Sequence, residues 1–152
     1  MKILAGVPDA LLSLRNAGFL NIVVTNQPDV ATGKIKRETV EAMHRRLKQD
    51  LALDDIKVCY HGDADGCDCR KPKPGMLLQA ALEFGIDLER SFMVGDRWRD
   101  VAAGQAAGCA NFFIDYRYGE KRPEPPYIAV KSLGDASRRI LGEFVGKTRT
   151  KR

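Results

Sequence analysis

The feature that most restricts the fold is a regular alternation of short apolar segments with longer amphipathic ones. The short segments have the length and the β-branched or aromatic content of buried strands. They are 20–26 (LNIVVTN), 55–60 (DIKVCY), 91–96 (SFMVGD), 109–115 (CANFFID) and 127–130 (YIAV). The longer segments repeat their apolar residues at helical spacing and are 8–17, 37–51, 75–85, 98–108 and one near 134–145. This order builds right-handed β-α-β units, so we predict an α/β fold with a doubly wound, Rossmann-like parallel sheet and helices on both faces.

Length and charge indicate one globular domain. The chain has 152 residues, of which 44% are hydrophobic and 30% charged. We expect a single domain over residues 1–146 and a disordered basic tail over 147–152. Four basic residues of the tail account for four of the five formal net charges, which leaves +1 for residues 1–146. A nearly neutral body does not favour nucleic acid as a partner.

The chain carries no signal for a membrane. No apolar run approaches the roughly 18 residues of a membrane span, and the N-terminus lacks the layout of a signal peptide. We therefore expect a cytoplasmic monomer with no membrane partner. In a reducing compartment cysteines seldom form disulfides, so clustered cysteines point to metal binding or catalysis.

Cysteine and histidine residues are concentrated after the second predicted strand. Cys59, His61, Cys67 and Cys69 have the spacing C-x-H-x5-C-x-C. One imidazole and three thiolates suffice for a closed tetrahedral zinc site, which would order a loop that is poor in apolar residues. The alternative is a chance cluster in a flexible loop. Cys109 begins a strand and is expected to be a small core residue.

Polar residues follow three of the predicted strands, where ligands bind in sheets of this kind. Thr25 follows the first strand and could hold a phosphoryl oxygen. Arg70 and Lys71 follow the cysteine loop and could bind phosphate. Asp96 and Asp100 could aim carboxylates at Mg²⁺. The alternatives are a capped strand end for Thr25, solvated cations, and for Asp100 an acid that interacts with a helix dipole.

Three motifs taken in order resemble the haloacid dehalogenase superfamily of phosphatases. They are VVTNQ, CxH…CxCRKPKPGM and MVGDxxxD, which are similar to the last three of that family's four motifs, over roughly residues 5–115. The cysteine loop narrows the resemblance to the branch of heptose 1,7-bisphosphate and histidinol-phosphate phosphatases. The resemblance implies a haloacid dehalogenase type of sheet with a zinc-bound loop.

The resemblance also implies catalytic roles. Thr25 would bind the transferred phosphoryl group, and Lys71 would neutralise it and orient the nucleophile. Asp96 would help to coordinate a catalytic Mg²⁺, with Asp100 in support. Each role stabilises a highly charged phosphoryl-transfer state by positioned charge.

Four further residues are implied to contact the substrate: Asn26, Gln27, Arg70 and Arg97. Arg97 stands where a lysine is common in the family and keeps the charge. The loop 28–33, PDVATG, departs from the family's usual Ser-Gly-Ile-Ala-Arg-Gly. A flexible glycine and a phosphate-binding arginine are replaced there, which bears on bisphosphate specificity.

The family's first motif, an Asp-x-Asp that ends the first strand and supplies the nucleophile and the acid/base, is missing. Before Thr25 the only acid is Asp9, on the first predicted helix. Asp63 and Asp65 spell the motif, but they lie inside the cysteine loop and after the Thr25 motif, so we do not expect them to be catalytic. The lost strand would be the central one, so we expect unpaired neighbouring strands and an open core.

Two explanations of the missing motif stay open: the chain is an N-terminally incomplete enzyme, or it is a remnant that uses the scaffold otherwise. The retained motifs favour the first. The expected function is a Mg²⁺-dependent phosphatase acting on a small phosphorylated sugar, D-glycero-D-manno-heptose 1,7-bisphosphate. The alternative is a catalytically silent, zinc-stabilised domain that binds phosphorylated ligands. A zinc-loop nucleic-acid binder is disfavoured by the body charge.

Overall fold

The computed structural model describes the backbone of residues 3–150, and the side chains of that range except those of Asp63 and residues 143–150. Helices and strands alternate as the sequence predicts. The helices are α1 (Val7–Asn16), α2 (Pro28–Ala31), α3 (Arg37–Asp50), α4 (Gly75–Phe84), α5 (Trp98–Ala107) and α6 (Leu133–Thr150), and the strands are β1 (Ile22–Asn26), β2 (Asp55–Cys59), β3 (Phe92–Gly95), β4 (Ala110–Ile114) and β5 (Ile128–Val130).

The predicted strands and helices are confirmed, with two differences in helix extent. The segment 28–31 forms the one-turn helix α2 where a loop was expected, because Pro28 suits a first helical turn and four residues are too few to show a periodicity. Helix α6 continues to Thr150, beyond the predicted end near 145. The predicted tail, 147–152, therefore falls partly on this helix, and residues 151–152 lie outside the described part of the chain.

The strands of the described residues form two separate sheets, and each strand pairs in parallel with its neighbours in the same sheet. Strands β1 and β2 pair with Thr25 opposite Val58. Strands β3, β4 and β5 form the second sheet, in that order. No helix within residues 3–150 combines the length and apolar character that crossing a bilayer requires.

Two apolar clusters cover opposite faces of the larger sheet. The α1/α6 core contains Leu14, Phe112, Ile114, Val130, Ala136 and Ile140, and Phe92 and Val94 pack against it. The α4/α5 core contains Leu77, Met93 and Ala103. Consecutive residues of β3 thus point to different clusters, as the two-residue period of a strand requires. Helices on both faces are the predicted doubly wound arrangement.

The two sheets face each other across a cleft, which we call the slot. Along β1, Asn21 O accepts the N–H of Asp54 and Gln27 N donates to Cys59 O, so the odd-numbered peptide groups point to β2. Those of Ile22 and Val24 then point to the other edge, because peptide groups alternate along a strand. A cavity of about 570 Å³ lies at that edge and is lined by both β1 and β3.

Strand β3 also has an unpaired edge that faces the slot. Ser91 O accepts the N–H of Ala110, so Ser91 and Met93 point to β4, and Phe92 and Val94 point into the slot. Every residue of β1 is only half-buried, whereas four of the five residues of β4 are buried. The expectation of unpaired strands and an open core beside the missing strand is confirmed.

Candidate active site and zinc centre

The sequence-predicted site residues meet at the carboxyl ends of the strands. Thr25 and Asn26 end β1, the cysteine loop follows β2, and Asp96 follows β3. Pairing of Asn26 with Cys59 places the ends of β1 and β2 side by side. Hydrogen bonds that reach across the slot then join this edge to the β3 side.

The four predicted zinc ligands lie together. Their ligand atoms are all within 4.8 Å of one another. Cys59 Sγ is 3.6 Å from both His61 Nδ1 and Cys67 Sγ, and His61 Nδ1 is 3.3 Å from Cys69 Sγ. A tetrahedral zinc with bonds of about 2.3 Å would hold its ligands about 3.8 Å apart. These three distances fit the predicted zinc ion, whereas Cys69 Sγ lies only 2.8 Å from Cys59 Sγ, and these two sulfurs would separate by about 1 Å to bind it.

The protonation chemistry of the cluster also fits a cation. Burial raises the pKa of the Cys69 thiol to about 12, and the neighbouring thiols Cys59 and Cys67 add to this. Desolvation acts to raise the pKa of Cys67 as well, but hydrogen bonds from the backbone of Arg70 and from Cys59 outweigh it and lower the pKa to about 7. Crowded thiols that cannot all ionise alone become thiolates when a metal ion neutralises them.

Lys71 follows this loop in the chain, and its side chain bridges the two sheets. Its Nζ donates to Val24 O, 2.9 Å away, and to Asp100 Oδ1 at 2.5 Å. The Val24 carbonyl belongs to the open edge of β1, whereas Asp100 is on α5, after β3. The side chains of Lys71 and Asp100 are only 11% and 10% exposed, so this is a largely buried ion pair.

Asn26 fixes the backbone of Lys71. The Lys71 N–H donates to Asn26 Oδ1 at 3.0 Å, and Asn26 Nδ2 donates to Lys71 O at 3.2 Å. The oxygen and the nitrogen of the Asn26 side-chain amide thus both bind the backbone of one residue. Sequence reasoning assigned Asn26 to substrate binding, which stays a prediction; its contacts in the structure position Lys71.

The position of the Asp100 side chain depends on the absence of a side chain at Gly95. Asp100 accepts the N–H of Arg97 at 3.0 Å in addition to Lys71, and it is 7% exposed. A Cβ at residue 95 would collide with the Asp100 side chain. Glycine at the end of β3 therefore lets this carboxylate approach the strand and reach Lys71.

Asp96 is half-buried at the end of β3, and one of its oxygens is already engaged. Tyr118 donates its hydroxyl to Asp96 Oδ2 at 3.1 Å. Burial raises the pKa of Tyr118, with the Asp96 hydrogen bond as the next cause. Carboxylate oxygens of Asp96 and Asp100 at the end of a strand are hard ligands of the kind that Mg²⁺ prefers.

Sequence reasoning missed the loop after β4 that supplies Tyr118. Arg97 Nη1 donates to Glu120 Oε2 at 2.7 Å, and its guanidinium lies 4.1 Å from the centre of the Tyr118 ring. A hydrogen bond from Arg122 lowers the pKa of Asp115 and ties the loop to the end of β4. The sequence contained one signal that this loop could belong to the site: it follows the carboxyl end of a predicted strand. Arg97, predicted to bind substrate, contacts this loop.

Thr25 and Gln27 also contact each other: Gln27 Nε2 donates to Thr25 Oγ1 at 3.1 Å. Arg70 is half-buried between the zinc loop and Lys71. Asp65 accepts the N–H of Gly62 at 2.7 Å within the short turn Asp63–Asp65 of the zinc loop. The Asp63 side chain is outside the described part of the chain. The turn role of Asp65 agrees with the expectation that this Asp-x-Asp is a loop feature.

Comparison with known proteins identifies the class of protein to which this chain belongs. A family model described as HAD-hydrolase-like matches residues 68–136. Bordetella bronchiseptica D,D-heptose 1,7-bisphosphate phosphatase, solved with magnesium and phosphate, superimposes with a TM-score of 0.78 at 32% identity and covers 92% of this chain and 84% of that one. A putative HAD-like phosphatase from Mesorhizobium loti gives a TM-score of 0.73 at 30% identity, over 88% and 71%.

Several relatives by sequence share the name D-glycero-β-D-manno-heptose-1,7-bisphosphate 7-phosphatase. The Pseudomonas putida protein is 40% identical over 124 residues, 78% of this chain and 71% of its own. The Photorhabdus laumondii protein is 37% identical over 153 residues, 90% and 81%. A Pseudomonas aeruginosa match, 42% identical, spans 60% of that protein. This chain belongs to the HAD-like hydrolases, and within them to the family that includes these heptose bisphosphatases.

Zinc binding is tested by metal content under reducing conditions. The chain purified in reductant should contain one zinc per molecule, and Cys67→Ser should reduce this to near zero and lower the Tm, because three ligands no longer close the site. Cys109→Ala removes a cysteine outside the cluster and should keep the zinc. Metal-free wild-type protein, or equal zinc loss in both variants, would contradict the assignment.

The close approach at Gly95 is tested by Gly95→Ala. The added methyl group should displace Asp100 from Lys71 and lower the free energy of unfolding by about 1–3 kcal/mol, as overpacking does. Gly119→Ala is the matched control, because a Cβ there meets nothing within 4 Å, and it should change stability by less than about 0.5 kcal/mol. Urea unfolding measures both. Equal stability of the two variants would show that Asp100 does not need this contact.

Proposed function

We propose that this chain carries the phosphate-binding and magnesium-binding residues of a phosphatase for D-glycero-D-manno-heptose 1,7-bisphosphate. The observation that carries the proposal is the convergence of Thr25, Lys71, Asp96 and Asp100 at one edge of the slot, in a chain 36–43% identical to relatives of that name. The substrate assignment comes from those relatives. The names of the relatives also suggest that the 7-phosphate is the one removed.

Each residue has a chemical role in this proposal. Thr25 Oγ1 is a donor for a phosphoryl oxygen, and Thr25 lies near the end of β1, next to Asn26. Lys71 holds a positive charge at the edge of the slot, where negative charge develops during phosphoryl transfer. Arg70 and Arg97 supply further cations for the substrate phosphates, and Gln27 orients the Thr25 hydroxyl.

Asp96 and Asp100 would hold the magnesium ion. Mg²⁺ bound there would supply positive charge to neutralise and orient the phosphate. Asp96 is the better placed of the two, because it is half-buried and, unlike Asp100, does not accept the hydrogen bond of Lys71. The contact of Asp100 with Lys71 makes it a residue that positions the ammonium as well as a possible ligand. Zinc has a separate, structural role in holding the loop that precedes Arg70.

The proposal requires an aspartate nucleophile that the described strands do not provide. Asp9 is on α1, and Asp63 and Asp65 are in the zinc loop. The family resemblance implies that the nucleophile ends a strand lying between β1 and β3. The alternative function, a silent zinc-stabilised domain that binds phosphorylated ligands, uses the same residues without this strand.

The proposal extends to location and assembly. The chain works as a monomer in the cytoplasm, where reduced cysteines remain available to zinc. Its partner is a small phosphorylated sugar, and neither nucleic acid nor a membrane surface is part of the function. Sedimentation of the zinc-loaded chain, with and without the bisphosphate, tests the monomer.

Binding and turnover separate the two candidate functions. Heptose 1,7-bisphosphate should bind the chain in the presence of Mg²⁺, as measured by calorimetry, and Asp96→Asn should weaken binding about tenfold or more because it removes a charged metal ligand. Asp50→Asn, which alters an exposed surface ion pair, is the control and should bind normally.

Turnover is then measured on the same chain preceded by an apolar strand that ends in Asp-x-Asp. Phosphate release that is lost in Asp96→Asn would support the phosphatase. Mg²⁺-dependent binding without release in this longer protein would support the silent domain. If neither binding nor release occurs, both candidates are wrong.

A further inference from the structure

The loop between β4 and β5, residues 115–127, covers one side of the Asp96 carboxylate. Tyr118 in this loop donates its hydroxyl to Asp96 Oδ2 at 3.1 Å. Asp96 Oδ1 has no hydrogen-bond partner in the part of the chain that the structure describes. The two oxygens of this carboxylate therefore differ, because a side chain occupies one of them and the other is available to a ligand.

Asp96 lies between two cavities of very different size. On the loop side, Asp96, Tyr118 and Lys121 line a space of about 10 Å³, which holds no more than about one water molecule. On the other side, Asp96 lines the slot, whose cavity measures about 570 Å³. A cation with its water ligands does not fit on the loop side, whereas the slot has room for it. The Tyr118 hydroxyl thus binds Asp96 from the side that a cation does not use.

The Tyr118 ring is held by Arg97. The Arg97 guanidinium lies 4.1 Å from the centre of the ring, a distance at which a cation is attracted to the ring face. Arg97 Nη1 in turn donates to Glu120 Oε2 at 2.7 Å. Arg97 follows Asp96 in the chain, so the residue next to the carboxylate fixes the tyrosine that binds it. These contacts of the ring do not involve the hydroxyl.

Further hydrogen bonds fix the backbone of the loop. Asp115 accepts the N–H of Arg117 and a guanidinium N–H of Arg122, both at 2.9 Å. Beyond Arg122, Gln105 of α5 donates to the carbonyl oxygen of Glu124 at 2.7 Å. The loop is thus tied to the end of β4 and to α5. A hydroxyl carried by a fixed loop is preorganised, because little further ordering is needed when a ligand binds.

One occupied oxygen changes which cation a carboxylate prefers. Mg²⁺ requires near-octahedral coordination at about 2.0–2.1 Å, whereas Ca²⁺ accepts carboxylates through one or both oxygens at about 2.3–2.6 Å. With Oδ2 bound to Tyr118, Asp96 offers only Oδ1. The restriction removes a ligand oxygen from Ca²⁺ and none from Mg²⁺.

We propose that Tyr118 is a positioning residue that selects Mg²⁺ over Ca²⁺: its hydroxyl holds Asp96 Oδ2 and leaves Oδ1 as a single ligand oxygen for the cation. Partners that orient a metal ligand in this way typically change metal affinity by about 10- to 100-fold. The inference deepens the proposed function and rests on it, because it requires Asp96 to bind the magnesium ion.

The test titrates MgCl₂ and CaCl₂ separately into the zinc-loaded, isotopically labelled chain at constant ionic strength. The amide chemical shifts of Gly95 and Asp96 report occupancy of the site. Tyr118→Phe removes the hydroxyl and keeps the ring beside Arg97. It should weaken Mg²⁺ binding about tenfold and leave Ca²⁺ binding unchanged or tighter, because Asp96 regains its second oxygen. The readout is the ratio of the two dissociation constants, since general loosening of the loop would weaken both cations alike.

Tyr116→Phe is the matched control. Tyr116 is 42% exposed and Tyr118 is 44% exposed, and no hydrogen bond within the described residues joins the Tyr116 hydroxyl to a carboxylate. This variant should keep the wild-type ratio. Asp96→Asn should weaken the binding of both cations, and Tyr118→Phe should have the Tm of the wild-type chain.

The outcomes separate failure of this inference from failure of the proposed function. If Tyr118→Phe binds both cations as the wild type does, or loses affinity for both equally, Tyr118 does not select the cation, and Asp96 remains a magnesium ligand. If neither salt shifts the wild-type amides, or if Asp96→Asn binds both cations normally, Asp96 is not a cation ligand. The inference and the proposed magnesium role are then both wrong.

Discussion

The ammonium group of Lys71 links the parts of this molecule that the backbone leaves separate. The backbone of Lys71 follows the zinc loop in the chain and is held by the side-chain amide of Asn26. From there it reaches the open edge of β1 and the carboxylate of α5. A largely buried ion pair contributes little net stability, but an unpaired charge in its place is costly. The ion pair between Lys71 and Asp100 therefore determines the relative position of the two sheets, and it contributes little to the free energy of unfolding.

Helices provide the remaining connection between the sheets. Helix α1 precedes β1 in the chain but packs against α6, which covers the β3–β5 sheet. Helix α4 contacts β1 and β2 as well as α5. On each face of the molecule, a layer of helices therefore spans the slot. The layer of strands between them is interrupted. This explains how an α/β topology is maintained although its central layer is open, and why β1 is only half-buried.

Much of the fold follows from local signals in the sequence. The apolar runs and helical periodicities place every strand and every long helix, and the C-x-H-x5-C-x-C spacing locates the zinc cluster. Helix α2 was missed because one turn carries no periodicity. The contact of Tyr118 with Asp96 joins residues 22 positions apart, and no local pattern reports such a contact. Asp100 could be predicted only in part: its place in the first turn of the helix after β3 indicates function, but its ion pair with Lys71 depends on the space left by Gly95.

The open edges of β1 and β3 lie between helix layers, and this location has a consequence for self-association. Exposed edges usually invite other sheets to pair with them, which leads to aggregation. Here Leu14 and Ile140 stand on one side of the edges and Leu77 on the other. A folded neighbour, whose edge strand is attached to its own sheet and helices, is too bulky to enter between these walls. The slot thus shields the hydrogen-bonding edges of β1 and β3 from edge-to-edge pairing with the sheet of another folded molecule.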